Sequence, residues 1–149
     1  MRKPAKLAKA SGTLAFRLDR LADRYVAHVE SAIAGRDGFE MAQLHVLAAI
    51  GENGPVSASE IVAMTGLHKS RVSRAVAAFA RLEWVEFLED ESDGRRVALR
   101  LSRAGKREFT TLTLLAGETE RALVARLGRG RKSVYAALEK LELIAPDSE

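Results

Sequence analysis

Apolar residues recur along this chain at more than one period, and the changes of period mark out its elements. From residue 14 to about 34 they fall three and four apart (Leu18, Leu21, Ala22, Tyr25, Val29, Ala32 and Ile33), which predicts a long amphipathic helix. Gly35-Arg36-Asp37-Gly38 ends it. A second helix is expected over about 39–51, with Leu44, Val46, Leu47 and Ile50 on a broad buried face. The turn cluster Gly51-Glu52-Asn53-Gly54-Pro55 follows. Ser57 and Glu60, three apart ahead of Ile61 and Val62, form a capping box that opens the next helix. Thr65-Gly66 closes it, the glycine suiting a left-handed position between two helices packed at a steep angle.

The next predicted helix, about 69–82, has two unlike faces. Val72, Val76 and Phe79 fall at i, i+4 and i+7 and should point to the core, while Ser70, Arg71, Ser73, Arg74 and Ala77 gather on the other side. The period then drops to two: Val85 and Phe87, then Val97, Leu99 and Leu101, with the polar segment Glu89 to Arg96 between them. Such a pattern predicts a two-stranded hairpin. Ser102 can cap a long helix over about 103–127, whose Phe109, Leu112, Ala116, Thr119, Leu123 and Leu127 approach a coiled-coil seam. Gly128-Arg129-Gly130 breaks it, and a last helix over 131–145 should turn Val134, Leu138 and Leu141 inward. Pro4 and Pro146 lie in termini expected to fray.

Helix, tight turn, basic-faced helix and hairpin is the order of parts in a winged helix-turn-helix, which sets one helix in a DNA major groove and a loop on the neighbouring minor groove. The expected fold is therefore mainly α with a small β wing, in a single domain spanning residues 1–149. The winged lobe covers about 39–105. The long helices at about 14–34 and 108–145 exceed what so small a lobe can cover, so a two-fold dimer through them is expected.

Charge sharpens this picture. The chain of 149 residues carries a net +4, unevenly spread. Residues 1–13 hold four basic and no acidic side chains, and residues 68–107 hold ten basic against six acidic. Residues 14–67 are net −3 and 108–149 net −1, so positive charge gathers on the tail and on the reading segment, where it can neutralise phosphates. An apolar fraction of 47% argues against disorder, and no apolar run approaches membrane-spanning length. The basic start MRKPAKLAKA has no apolar stretch behind it, so a secretory signal is not expected and a cytoplasmic location is. Zero cysteines remove disulfides, thiolate metal sites and thiol redox switching. No nucleophile elbow, paired-carboxylate pattern or phosphate-cradling glycine loop is present, so neither an enzyme nor a cofactor is expected.

Residue by residue, the chain resembles the MarR family of bacterial transcriptional regulators, over nearly its full length. The family's wing typically runs Asp, two residues, Asp, one residue and Arg, then alternating apolar residues, Leu-Thr and a Gly. Here Asp90-Glu91-Ser92-Asp93-Gly94-Arg95 is followed by Val97-Ala98-Leu99-Arg100-Leu101-Ser102 and Gly105. Lys69-Ser70-Arg71-Val72-Ser73-Arg74 is similar to the family's lysine-serine-x-valine-serine-arginine. The resemblance implies that Arg95 enters the minor groove and that Asp93 braces it by a charge-assisted hydrogen bond. Arg96 sits beside it, where strand alternation can turn it back along the wing. Ser70, Arg71, Ser73 and Arg74 become candidates for major-groove contact, the arginines toward guanine or phosphate and the serines toward bases or phosphates. Lys69 and His68 are expected to hold a phosphate or cap the helix. A homodimeric repressor on a pseudo-palindromic operator, released by a small aromatic effector, is the implied function. Tyr25 and His28 are the candidates to line an effector cavity.

Three positions depart from the family pattern. Glu83 stands where a Gly is common before the wing, so the turn there must avoid a left-handed backbone or accept strain. Phe87 replaces a frequent arginine, and His68 replaces the usual Ser or Thr cap. The three histidines, His28, His45 and His68, fall on different elements without zinc-helix spacing, so no metal site is expected. Trp84 reads as packing beneath the wing. The rival reading is a winged-helix protein-interaction module without specific DNA binding, since fold alone does not set function.

Overall fold

The computed structural model describes residues 12–33, 39–89 and 97–144. Helix α1 is Leu14–Ile33, α2 Met41–Asn53, α3 Ala58–Thr65, α4 Lys69–Arg81, α5 Arg103–Ala125 and α6 Arg131–Ile144. A three-stranded antiparallel sheet is built from β1 (Val56–Ser57), β2 (Val85–Glu89) and β3 (Val97–Leu101), in the order β1-β3-β2. The Gly35–Gly38 turn, the wing tip with Asp90, Asp93, Arg95 and Arg96, and both terminal prolines lie outside the described residues.

Local chemistry sets most of the boundaries. Ser57 Oγ accepts from the Glu60 N–H (3.3 Å), and Glu60 returns a carboxylate to the Ser57 N–H (2.7 Å), which completes the capping box of α3. Gly66 ends α3 at φ 65°, the left-handed position that glycine occupies without penalty. His68 caps α4 in place of a hydroxyl, with Nδ1 accepting from the Ser70 N–H at 3.3 Å. Glu83 takes the strained alternative at the turn into the wing, with φ 56°. The strand β1 has no periodic signature because two residues cannot show one. It pairs Val56 with Leu99 and Ser57 with Ala98, and so ties the start of α3 to the wing.

The core belongs to the winged lobe. Val46, Leu47, Ile50, Ile61, Val72, Phe79 and Leu112 are fully buried, and Ile33 and Phe39 join them from the α1 side. Phe79 stacks on Trp84 at 5.6 Å between centroids, with Phe39 beside both at 6.3 and 6.2 Å, so Trp84 is packing under the wing. On α4 the buried seam is Val72, Ala75 and Phe79, and Val76 is half-buried at its flank rather than central.

The outer helices behave differently. Only Val29 and Ile33 of α1 are buried, and Leu21 is 62% exposed. The expectation that Val134, Leu138 and Leu141 of α6 point inward is corrected: no α6 residue is buried, and Val134 and Leu138 are 41% and 40% exposed. Their stripe is regular, but of the three only Leu141 is half-covered by the described residues. The long helix α5 stops at Ala125 rather than 127, and a 3-10 turn at Gly128–Gly130 leads into α6.

Candidate nucleic-acid interface

The outer face of α4 is set by helical geometry. With Val72, Ala75 and Phe79 inward, a 100° step per residue turns Ser70, Arg74, Ala77 and Arg81 directly outward, with Arg71 and Ser73 on the shoulders. Lys69, Ser70, Arg71, Ser73 and Arg74 are all exposed, so the fold brings the candidate residues of this helix together on one surface. Arg81, not among the residues singled out from the sequence, extends that surface from the last turn of α4.

The electrostatics of α4 are one-sided. Its 13 residues carry Lys69, Arg71, Arg74 and Arg81 and no carboxylate. Lys69 and Arg71 sit in the first turn, at the positive end of the helix dipole, where a cation costs roughly 0.3–1 kcal/mol rather than stabilising. Among the described residues neither side chain has a hydrogen-bond or ion-pair partner, so nothing within the described chain compensates. Arg74 lies back along its own helix, its Nε donating to the Ser70 carbonyl over a long 3.4 Å. His68 Nδ1 also lies 2.8 Å from Ser70 Oγ, which ties one candidate hydroxyl to the cap.

Beside this face stands the wing. Its register pairs Val85 with Leu101, Phe87 with Leu99 and Glu89 with Val97. Val85, Leu99 and Leu101 are buried, but Phe87, on the edge strand opposite buried Leu99, is 55% exposed. Across the strands, Arg100 Nε donates to Glu86 Oε2 at 2.7 Å, an exposed pair. Phe87, Val62, Val72 and Val76 wall a groove of about 650 Å³ between α3, α4 and β2, with Lys69 and Ser73 also lining it. A second groove of about 510 Å³ runs along the other shoulder of α4, between Arg71, Arg74 and Arg81 and the start of α2. Asp93, Arg95 and Arg96 fall in the undescribed wing tip.

The effector candidates separate. Tyr25 is half-buried and shares its surroundings with Glu120 of α5 and Tyr135 of α6, residues that no sequence spacing connects to it. Burial raises the Tyr25 hydroxyl above its usual value of 10.0, with the Glu120 carboxylate and Tyr135 adding to the effect. Tyr135 donates its hydroxyl to Glu120 Oε1 at 3.1 Å, and that bond raises its own pKa. His28, one turn on from Tyr25, is exposed and bonds to no described residue. An open cleft of about 700 Å³ adjoins Tyr135 between α5 and α6, with Arg121, Arg131 and Lys132 in its lining. No group of three or more His, Cys, Asp or Glu among the described residues is placed to hold a metal, and no described helix is long and apolar enough to cross a membrane.

Residues 37–96, which span the lobe from α2 into the wing, match the sequence profile of the MarR family. No curated protein matches the sequence. Among solved structures, the chain is similar to Bordetella bronchiseptica BpsR, whose DNA binding is regulated by 6-hydroxynicotinic acid, at a TM-score of 0.83 and 19% identity over 95% of this chain and 100% of that one. It is similar to Streptomyces coelicolor PcaV in complex with its natural ligand at 0.81 and 19% identity, over 96% and 100%. A MarR/EmrR family transcriptional regulator from Acinetobacter sp. ADP1 matches at 0.75 and 22% identity, over 86% and 91%.

Proposed function

We propose, from a chain whose residues 37–96 match the MarR family and whose fold is similar to that of solved MarR regulators, that the protein is a homodimeric repressor that binds duplex DNA sequence-specifically and is released by a small molecule. The observation that carries the reading is α4: four cations, no carboxylate, two of the cations at the wrong end of the helix dipole, and a serine-arginine face turned away from a fully buried seam. A phosphate backbone supplies the compensating charge. Ser70, Arg71, Ser73 and Arg74 contact the major groove and Lys69 a phosphate, while Arg95, held by Asp93 and flanked by Arg96, enters the adjoining minor groove. The uncovered stripes on α1 and α6 support pairing with a second copy, which presents two reading helices to a pseudo-palindromic site. The effect of 6-hydroxynicotinic acid on BpsR supports a small aromatic effector, and Tyr25 and His28 are the residues proposed to meet it.

Fluorescence anisotropy on a duplex from the region upstream of its own gene tests the reading between 50 and 200 mM salt. Arg71→Ala and Arg95→Ala should each weaken binding by roughly tenfold, within the ~1–3 kcal/mol of a good arginine contact. Removing one cation from a phosphate should flatten the slope of log K against log salt by about 0.9. Unchanged affinity in both variants would refute the groove assignment. Indifference of the wild type to duplex DNA at low salt would refute the function and favour a protein-interaction module.

A further inference from the structure

Three segments that do different jobs meet at one serine. The reading helix α4 ends at Arg81 with Leu82 as its C-cap, Glu83 and Trp84 lead into β2 at Val85, and α5 begins just after Ser102. Ser102 Oγ donates to the Glu83 carbonyl at 2.7 Å while accepting from the Gly105 N–H at 3.0 Å. Its backbone N–H donates to the Trp84 carbonyl at 2.9 Å, and the Trp84 N–H donates to Phe79 on α4 at 2.9 Å. Gly105 presses the first turn of α5 onto this point, since a Cβ there would run into the Trp84 carbonyl oxygen. The carbonyl that Ser102 holds belongs to Glu83, the only described non-glycine residue with positive φ.

We propose that Ser102 is a positioning residue that sets the pitch of the reading helix and wing against α5, acting through its hydrogen bond to the Glu83 carbonyl. Further along α5, apolar contacts join it to the lobe: Leu112 is fully buried, and the Phe109 ring packs close against Gly51. Apolar packing is non-directional and tolerates rotation and sliding, whereas a hydroxyl held between one donor and one acceptor has one geometry. The left-handed Glu83 turn, closed by its own N–H to the Ala80 carbonyl (3.1 Å) and by the Trp84 N–H to the Phe79 carbonyl (2.9 Å), aims the Glu83 carbonyl at Ser102. Because α5 also extends into the uncovered outer helices, its pitch sets how far apart two reading helices stand in a dimer; this consequence rests on the function proposed above, while the joint itself does not.

Ser102 is also the N-cap of α5, and the test separates the two roles. Ser102→Asp keeps the acceptor for Gly105 but has no hydrogen to donate to Glu83, whereas Ser102→Thr keeps both. The chain has no cysteine, so Ala77→Cys on α4 and Glu118→Cys on α5, both exposed, give two unique spin-label sites. Labelled chains diluted into unlabelled protein report the distance within one chain by pulsed electron paramagnetic resonance. Ser102→Asp should shift or widen the distance distribution, with Ser102→Thr matching the wild type and circular dichroism showing all variants folded. A Ser102→Asp distribution identical to the wild type would overturn the proposal and leave Ser102 a helix cap. Failure of the functional reading looks different: the same shift in Ser102→Asp, with wild-type protein that ignores duplex DNA.

Discussion

Helices α4 and α6 carry apolar stripes of the same spacing and meet opposite fates. Val72, Val76 and Phe79 fall at i, i+4 and i+7, and so do Val134, Leu138 and Leu141. On α4 the stripe closes over a core in which Val72 and Phe79 are fully buried. On α6 nothing is buried at all. Periodicity therefore tells which face of a helix seeks burial, and it does not tell whether its own chain can supply the cover. The winged lobe covers its own stripe, whereas the described residues leave Val134 and Leu138 of α6 exposed.

Breaking the lobe should give the largest effect. Phe79→Ala removes the centre of the Phe39–Phe79–Trp84 cluster and should cost about 3–5 kcal/mol by urea denaturation. A loss below ~1 kcal/mol would mean that the lobe does not hold the core. Next comes the outer layer. Leu138→Glu places a charge in the uncovered stripe of α6 and should weaken self-association at least ~100-fold, about 2.7 kcal/mol, in sedimentation equilibrium. The lobe's far-ultraviolet spectrum should survive, and an unchanged association constant would remove α6 from the interface.

Two smaller changes sharpen the contrast. Glu83→Gly relieves a left-handed backbone at the base of the wing and should stabilise the lobe by about 0.5–1 kcal/mol without altering molecular mass in solution. A destabilisation of the same size would show that the Glu83 side chain contributes more than its backbone costs. Arg100→Ala breaks an exposed ion pair with Glu86 and should shift stability by no more than about 0.5 kcal/mol, with the shift vanishing in high salt. A larger, salt-independent loss would mean that the wing strands depend on that pair.

Much of the lobe is legible in the residues themselves. The Ser57–Glu60 capping box, the glycine at 66 and the buried face of α2 follow from side-chain chemistry acting within a few positions. The outward face of α4 follows as well, because a helix with one buried seam has only one opposite side. Less was legible at Glu83, where the pattern offered two resolutions and the structure took the strained one. Arg81 lies beyond the Lys69–Arg74 pattern, and only the helix geometry puts it on the same face. Phe87 shows the limit of alternation: its cross-strand partner Leu99 is buried while it is not, since β3 lies between two strands and β2 is an edge.

By itself the sequence determined the order of the helices and the two wing strands, the turn chemistry between them, and which residues of α4 face away from the core. Each of these depends on interactions a few residues long, which a local pattern records. The tertiary structure alone decided which apolar stripes are covered. It also decided that Tyr25, Glu120 and Tyr135 meet, and that Ser102 joins the reading helix, the wing and α5. Those contacts join residues 15 to 110 positions apart, and their geometry is fixed by how the helices pack, which no local period encodes.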